Sequence, residues 1–382
     1  MNTEKEDFQV FIKPAGSKCN LGCSYCYYLG KGYDSADGAK TMPVEIMEKY
    51  IADHIKYSPG PEIFFSWHGG EPLLAGTGFY KKAIEIQQRH KPASCTIHNG
   101  IQTNGTLIDE EWCRFLAANN FYVGVSIDGP EKIHDTFRKY VNGTGSSEKA
   151  VRGYKMIRQA GIRNEILCVV SRENVSKPLE VYRFLKELGT GFITFLPLVV
   201  RDPSSPGKAS EISVSSAAFG EFLSQIFDEW VSQDIGRIRI QIFEEAVTPA
   251  FGREHTLCIF KKTCGRVPVI DMNGDFYSCD HYVDNNHRIG NIMTSSLGVM
   301  LDSEAQKAFG REKLDLLPRY CLECDVREYC NGECPKNRFI ETPAGEPGLN
   351  YLCQGYKIFF SHVRPFVEAV RARWLSRNRG AK

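Results

Sequence analysis

Charge of one sign is what this sequence most clearly lacks. Lys and Arg number 47, Asp and Glu 46, and the formal net charge is +1. That balance creates no global field to draw the chain onto nucleic acid or an anionic membrane. Long apolar runs are missing as well. The longest, near residues 192–200, is interrupted by Pro197 and is far too short to span a bilayer. The opening Met1-Asn-Thr-Glu-Lys-Glu-Asp7 mixes both signs with no apolar run behind it, so no secretory signal is expected. A soluble, cytoplasmic protein is the expectation, and 382 residues suffice for a large core and more than one domain.

Cysteine, by contrast, is in surplus, with 14 residues. A reducing cytosol does not favour disulfides, so this many thiols point to metal or redox chemistry. Cys95, Cys113 and Cys168 are scattered; single cysteines are usually small buried hydrophobes, and these are given no role. The rest form two groups. The first is Cys19-Asn-Leu-Gly-Cys23-Ser-Tyr-Cys26, spaced C-x3-C-x2-C. A loop of that length can wrap a cuboidal iron–sulfur cluster and supply three thiolates. The fourth iron then has no protein ligand, so a substrate or cofactor can chelate it. C-x2-C pairs are shared with zinc sites, and a zinc knuckle is the competing reading of the spacing. Tyr25 precedes the third cysteine and Lys13-Pro14 lies just upstream. With these, the stretch resembles the S-adenosylmethionine (SAM) radical family, which C-x3-C-x-aromatic-C defines.

The first half alternates two patterns. Residues 9–14, 62–67, 95–102, 121–127, 165–170 and 192–196 read as strands, and 43–57, 79–90, 109–118, 147–160 and 177–188 as helices. Such alternation implies a parallel sheet with right-handed crossovers and outer helices. Six β/α units predict an α/β fold built on a partial (β/α)6 barrel rather than a full eight-stranded one. Chemistry in such folds gathers at the C-terminal ends of the strands. His68-Gly69-Gly70-Glu71-Pro72 follows the second strand and Gln102-Thr103-Asn104-Gly105-Thr106 the third. Ser126-Ile-Asp128-Gly-Pro follows the fourth, with His134-Asp-Thr-Phe-Arg138 beyond. Glycines permit close backbone approach. Thr103 and Asp128 read as satisfying turn backbone groups, and Asn104 and Ser126 could do the same. Arg138 has the fork that suits a carboxylate, or it is a surface ion pair. In SAM radical enzymes the Gly-Gly-Glu segment contacts the cofactor's amino group, and positions matching Ser126 and Arg138 hold its carboxylate. The resemblance therefore implies SAM contacts at Tyr25, Gly69, Gly70, Glu71, Asn104, Ser126, Arg138 and, at the end of the sixth strand, Leu196.

Residues 201–215 read as a loop and 217–232 and 241–251 as bridging helices. Met272-Asn-Gly274 between 267–271 and 275–278 is a hairpin signal. The second cysteine group comprises Cys258, Cys264, Cys279, Cys321, Cys324, Cys330, Cys334 and Cys353. Eight thiols suffice for two fully ligated four-iron clusters or for two structural zincs, and spacing alone slightly favours zinc. The C-x2-C-x5-C-x3-C run with a later cysteine resembles the SPASM domain of radical enzymes that modify peptides and proteins. That resemblance implies two auxiliary clusters with interleaved ligands: Cys258, Cys264, Cys279 and Cys334 for one, Cys321, Cys324, Cys330 and Cys353 for the other. The expected division is a radical SAM barrel over residues 1–235 and a SPASM domain with bridging and C-terminal helices over 236–382.

Asp280, beside Cys279, is either a turn carboxylate or a general base, whose value depends on reaching the substrate's proton. The whole chain resembles anaerobic sulfatase-maturating enzymes. Carrying the resemblance are Trp67-His-Gly-Gly-Glu71, Gln102-Thr-Asn-Gly-Thr-Leu107, Val125-Ser-Ile-Asp-Gly-Pro130, Tyr277-Ser-Cys-Asp280, Asn331-Gly-Glu-Cys-Pro-Lys-Asn-Arg338 and Gly348-Leu-Asn-Tyr-Leu-Cys353. It implies three [4Fe-4S] clusters and SAM, which splits to give a 5′-deoxyadenosyl radical. That radical takes a hydrogen from the β-carbon of a Cys or Ser in an unfolded sulfatase segment. Asp280 removes the thiol or hydroxyl proton, an electron leaves through the auxiliary clusters, and formylglycine results. The implied partners are the sulfatase polypeptide, threading between the domains, and an external one-electron donor of flavodoxin or ferredoxin type; neither nucleic acid nor membrane is implied. A peptide crosslinking maturase is the enzymatic alternative, and such enzymes usually carry an N-terminal recognition domain for which the first strand here starts too early. A zinc-ribbon binding module is the non-enzymatic one, distinguished by zinc in place of about twelve irons per chain. His68, His98, His281 and His287 stay unassigned.

Overall fold

The computed structural model describes residues 6–28 and 40–379. Residues 1–5 of the charged N-terminal stretch lie outside them. The first half runs β1 (Phe11–Ile12), α1 (Val44–Tyr57), β2 (Glu62–Trp67), α2 (Gly76–His90), β3 (Thr96–Thr103), α3 (Glu110–Ala118), β4 (Tyr122–Ser126), α4 (Glu131–Phe137), α5 (Ser147–Gln159), β5 (Arg163–Val170), α6 (Pro178–Glu187) and β6 (Phe192–Pro197). The alternation read from the sequence is thus present. The first strand is shorter than the six residues expected, because the chain turns at Lys13, whose carbonyl accepts the Gly16 N–H at 3.2 Å. The second half adds α7 (Ser216–Gln233), β7 (Arg239–Ile240), α8 (Gln241–Val247), β8 (Val269–Ile270), β9 (Asp275–Tyr277), β10 (Arg288–Asn291), α9 (Leu297–Leu301) and α10 (Glu304–Asp315). The chain closes with α11 (Arg319–Leu322), α12 (Arg327–Cys330), β11 (Arg338–Glu341), β12 (Pro347–Asn350) and α13 (Cys353–Arg379).

Two compact units divide the chain. The first is Met1–Ile127, His134–Asn164 and Gly265–Gly310. Its sheet has the order β10-β9-β8-β1-β2-β3-β4. Strands β8, β1, β2, β3 and β4 are parallel, while β9 and β10 continue antiparallel as a meander. Ile12 pairs with Trp67 on one side and Ile270 on the other, so three strands end level at Lys13, His68 and Asp271. Strand β2 buries alternate residues, Ile63, Phe65 and Trp67, as a pleated strand with one face on a core must. Helix α3 starts where Asp109 accepts the Trp112 N–H at 2.9 Å, an N-cap that satisfies an otherwise orphaned donor.

The second unit is Asp128–Ile133, Glu165–Cys264 and Arg311–Lys382. Here β5, β6 and β7 are parallel. Helices α7 and α13 pack together through rings such as Phe227 against Phe366, and Phe219 against Tyr356. The hairpin of β11 and β12 lies between Cys334 and Cys353. Among the described residues, no helix is long and apolar enough to cross a membrane.

Candidate active site

The cysteine loop is held by neighbours on both sides within the first unit. Gly22 and Ser24 donate backbone N–H groups to the carbonyls of Lys139 and Phe137 at 2.8 and 3.2 Å. The Leu21 N–H donates to Cys19 Sγ at 3.3 Å, and Asn104 Nδ2 approaches the same sulfur at 3.7 Å. Asn20 in turn donates to Thr106 Oγ1 and accepts from Asn104, both at 2.9 Å. Gly69 and Gly70 allow their segment to lie directly on the loop. Gly69 has φ +112°, and a Cβ on Gly70 would sit 2.2 Å from the Lys18 carbonyl oxygen. The Gly70 and Glu71 N–H groups donate to the Gly16 and Lys18 carbonyls at 3.0 and 2.8 Å. Glu71 is wholly buried. Its carboxylate accepts from Leu73 N–H, Thr103 Oγ1 and Asn104 N–H at 3.0, 2.8 and 2.8 Å. Burial outweighs these donors and pushes its carboxyl up to about 7. Glu71 therefore splices two strand-end segments together, and its side chain is fully engaged by the protein's own groups.

Tyr25 and Arg138 are also neighbours, with the guanidinium 5.4 Å from the ring centroid. Arg138 is buried, so the surface ion-pair reading does not apply to it. Ser126 accepts from Gln102 Nε2 at 3.0 Å. Leu196 lies in the second unit on β6 with its side chain partly exposed. Thr103 donates to Glu71, and Asp128 accepts the Val169 N–H at 3.0 Å.

Asp280 is a second deeply buried acid of the first unit. Its Oδ1 lies 3.0 Å from Lys13 Nζ, with the two side chains 1% and 6% exposed. Its Oδ2 accepts from Tyr28 at 2.7 Å and also from Tyr27. Tyr28 Oη is 3.2 Å from His68 Nδ1, and Lys13 Nζ sits 4.2 Å over the Tyr28 ring. Burial alone would push the Asp280 carboxyl up. The Lys13 ammonium, His68 and the two tyrosine hydroxyls outweigh it and hold the group well below the usual carboxylate range. Burial and the Asp280 charge raise both tyrosines well above theirs, so they stay protonated donors. Burial likewise lowers His68, whose ring stacks on Phe11. His98 is elsewhere, paired with Glu62 and stacked on Phe64 in the first half of β3. His281 meets the Tyr27 ring edge-on, and His287 pairs with Asp284 at 2.8 Å. Lys13, Tyr27 and Tyr28 carried no role in the sequence reading. The available signal was their place: Lys13 ends a buried strand, and the tyrosines directly follow Cys26.

The donor sets fit iron–sulfur clusters. In the first unit Cys19, Cys23 and Cys26 share one loop, closed by the Cys26 N–H donating to the Cys23 carbonyl at 2.9 Å. Burial pushes the Cys19 thiol up to about 12, so a thiolate there needs a metal cation beside it. In the second unit Cys321, Cys324, Cys330 and Cys353 line one pocket with Tyr320, Lys357 and others. Four thiols around one hollow are what a fully ligated cluster requires. Cys258, Cys264 and Cys334 share the neighbourhood of Lys313 in the same unit. Cys279 belongs to the first unit, next to Asp280. Cys113 and Cys168 are buried, and Cys95 is half-buried.

The Radical SAM superfamily model matches residues 14–185, and the SPASM iron–sulfur cluster-binding domain matches 263–325. A serine-type anaerobic sulfatase-maturating enzyme of Bacteroides thetaiotaomicron is 43% identical over 376 residues, covering 95% of this chain and 91% of that protein. A cysteine-type enzyme of Clostridium perfringens is 31% identical, covering 93% and 96%. The solved structure of native anSMEcpe with bound AdoMet and the Kp18Cys peptide superposes with a TM-score of 0.87 at 30% identity, covering 96% of this chain and all of that one. Agreement over this length, together with the three-thiol loop and the second-unit thiols, shows that the chain belongs to the family of anaerobic sulfatase-maturating enzymes, radical SAM proteins with a C-terminal SPASM domain.

Proposed function

We propose that this protein oxidises a Cys or Ser side chain of a sulfatase polypeptide to formylglycine, using SAM and three [4Fe-4S] clusters. The observation that carries the reading is the bonding of the Asp280 carboxylate to Tyr27 and Tyr28, the two residues that directly follow Cys26. A proton acceptor is thereby fixed to the end of the three-thiol loop.

Cys19, Cys23 and Cys26 hold the first cluster. Tyr25, the Gly69-Gly70-Glu71 segment, Asn104, Ser126, Arg138 and Leu196 are the SAM contacts. Bound there, SAM supplies a 5′-deoxyadenosyl radical able to take hydrogen from an unactivated carbon. Glu71 acts on that site through its ties to Leu73, Thr103 and Asn104, by fixing the strand ends. Asp280 receives the substrate's thiol or hydroxyl proton. A carboxylate held this low is a weak base. It suffices because loss of the β-hydrogen makes the adjacent hydroxyl or thiol a far stronger acid. Lys13 keeps the carboxylate charged and fixed before that step, and the enclosing aromatic rings exclude water. The cysteines of the second unit would hold auxiliary clusters, whose chemistry is one-electron transfer. An external one-electron donor of flavodoxin or ferredoxin type, a cytoplasmic setting and a functional boundary near residues 235 and 236 complete the proposal.

The test is anaerobic incubation of the iron-loaded protein with SAM, a reductant and a sulfatase-derived peptide, followed by mass analysis. A Ser peptide should lose one pair of hydrogens, and a Cys peptide should lose one pair of hydrogens and also exchange its sulfur for an oxygen from water. A crosslinked peptide with no aldehyde would overturn the assignment in favour of a peptide crosslinking maturase.

A further inference from the structure

Lys313, on α10, has no exposed surface. Its Nζ donates to the carbonyls of Cys258 and Ile259, both at 2.7 Å. Its own carbonyl accepts from Arg338 at 2.6 Å, which fixes the turn of helix that carries it. Among the described residues no carboxylate forms an ion pair with it. Glu333 is near, but its carboxylate turns to Asn337 and Asn350. A buried ammonium hydrogen-bonded only to carbonyl oxygens carries a large desolvation cost, and burial lowers the pKa of Lys313. Negative charge on Cys264, Cys258 and Cys334 would offset that cost, with a smaller contribution from Glu333. The anionic thiolate-bound cluster that these cysteines would hold supplies such a charge.

We propose that Lys313 sets the reduction potential of the auxiliary cluster bound by Cys258, Cys264 and Cys334, so that this cluster readily accepts an electron. One-electron reduction adds a negative charge to the cluster. A fixed cation beside it interacts more favourably with the reduced form than with the oxidised form, and burial leaves that difference unscreened by water. The potential is raised as a result. Lys313 touches neither substrate nor reacting atoms; it acts through the cluster as a tuning residue. Carbonyl clamping and charge are separable functions of the same side chain. Lys313→Gln keeps a donor and removes the charge, whereas Lys313→Met removes both.

The inference rests on the iron–sulfur assignment made above, and the experiment distinguishes failure of one from failure of the other. Full-length protein with Cys19, Cys23 and Cys26 replaced by Ala leaves only the auxiliary clusters to report. In that background, iron content is measured and a redox titration is followed by electron paramagnetic resonance, with Lys313, Lys313→Gln and Lys313→Met. The expected result is retained iron and one auxiliary cluster at least tenfold harder to reduce in Lys313→Gln, or about 59 mV lower for one electron. The other cluster should be unmoved. Lys313→Arg, which restores the charge, should recover most of the shift. Retained iron with an unchanged potential in Lys313→Gln overturns the proposal. So does loss of iron from both uncharged variants, which would make Lys313 a clamp on the cysteine loop and nothing more. An absence of iron in the parent protein would instead sink the cluster assignment itself.

Discussion

Replacing Lys13 by Met removes the cation from Asp280 while leaving the apolar stem in place. The pair is 3.0 Å apart with both side chains almost fully enclosed, so the weak energetics of surface pairs do not apply. Removing one partner of such a pair leaves an uncompensated buried charge and costs about 3–5 kcal/mol. For a unit of about 200 residues that corresponds to a fall in Tm of about 6–20 °C. The pH dependence gives the sign. In the parent protein the Asp280 carboxyl is held well below its unfolded value of about 3.9. The carboxylate therefore contributes stability above that pH and loses it as pH falls through the folded value. Without Lys13, burial becomes the stronger influence and the carboxyl rises. The gap in Tm between parent and Lys13→Met should then narrow as pH drops from 8 toward about 4. Aldehyde formation in the variant should acquire an acid limb that the parent lacks. Scanning calorimetry on anaerobic protein at several pH values reads the first effect, and initial rates read the second. The double variant Lys13→Met/Asp280→Asn should lose less than the two single losses added together, since the residues are in contact. A Tm fall below about 2 °C with no pH dependence would refute the view that Lys13 and Asp280 form a coupled buried pair.

Asp280→Asn should leave SAM cleavage intact and stop aldehyde formation; product formed at the parent rate, seen by mass analysis, would remove Asp280 from the proton-transfer role. Replacing Cys19, Cys23 and Cys26 together by Ala should abolish SAM cleavage while about eight of twelve irons stay bound, as chromatography and iron analysis will tell. Gly70→Ala forces a Cβ to within 2.2 Å of the Lys18 carbonyl oxygen, so the cysteine loop must move. We expect a loss of about 1–3 kcal/mol in denaturant melts and impaired loading of the first cluster, with the second-unit clusters unaffected.

The alternation of strands and helices from β2 to β6 was legible because each element carries its own hydrophobic period. Helix α13 was harder to read, since Pro365 inside it and a polar tail disguise a helix of 27 residues. A two-residue strand such as β7 is too short to show a period and forms by pairing with its longer neighbour β6. The three-thiol loop could be read because its thiols, Tyr25 and the nearby Lys13-Pro14 lie within one short stretch of sequence. The surroundings of Asp280 could not. Tyr27 and Tyr28 reach it across 253 and 252 residues of sequence, and only the pairing of β8 with β1 brings the segments together. Glu71 illustrates a second limit. Its motif marks it as part of the cofactor segment, yet the three donors that occupy its carboxylate come from the strand end beside it and the next strand over.

The central claim is that the Cys19, Cys23 and Cys26 cluster has one iron left to SAM. Its most direct measurement is the electron paramagnetic resonance spectrum of the reduced, anaerobic protein before and after SAM is added, with the two auxiliary clusters as internal controls. The account predicts a change in one cluster's signal alone, absent when Cys19, Cys23 and Cys26 are replaced by Ala. A spectrum indifferent to SAM, from protein whose first cluster is shown to be present, would contradict it.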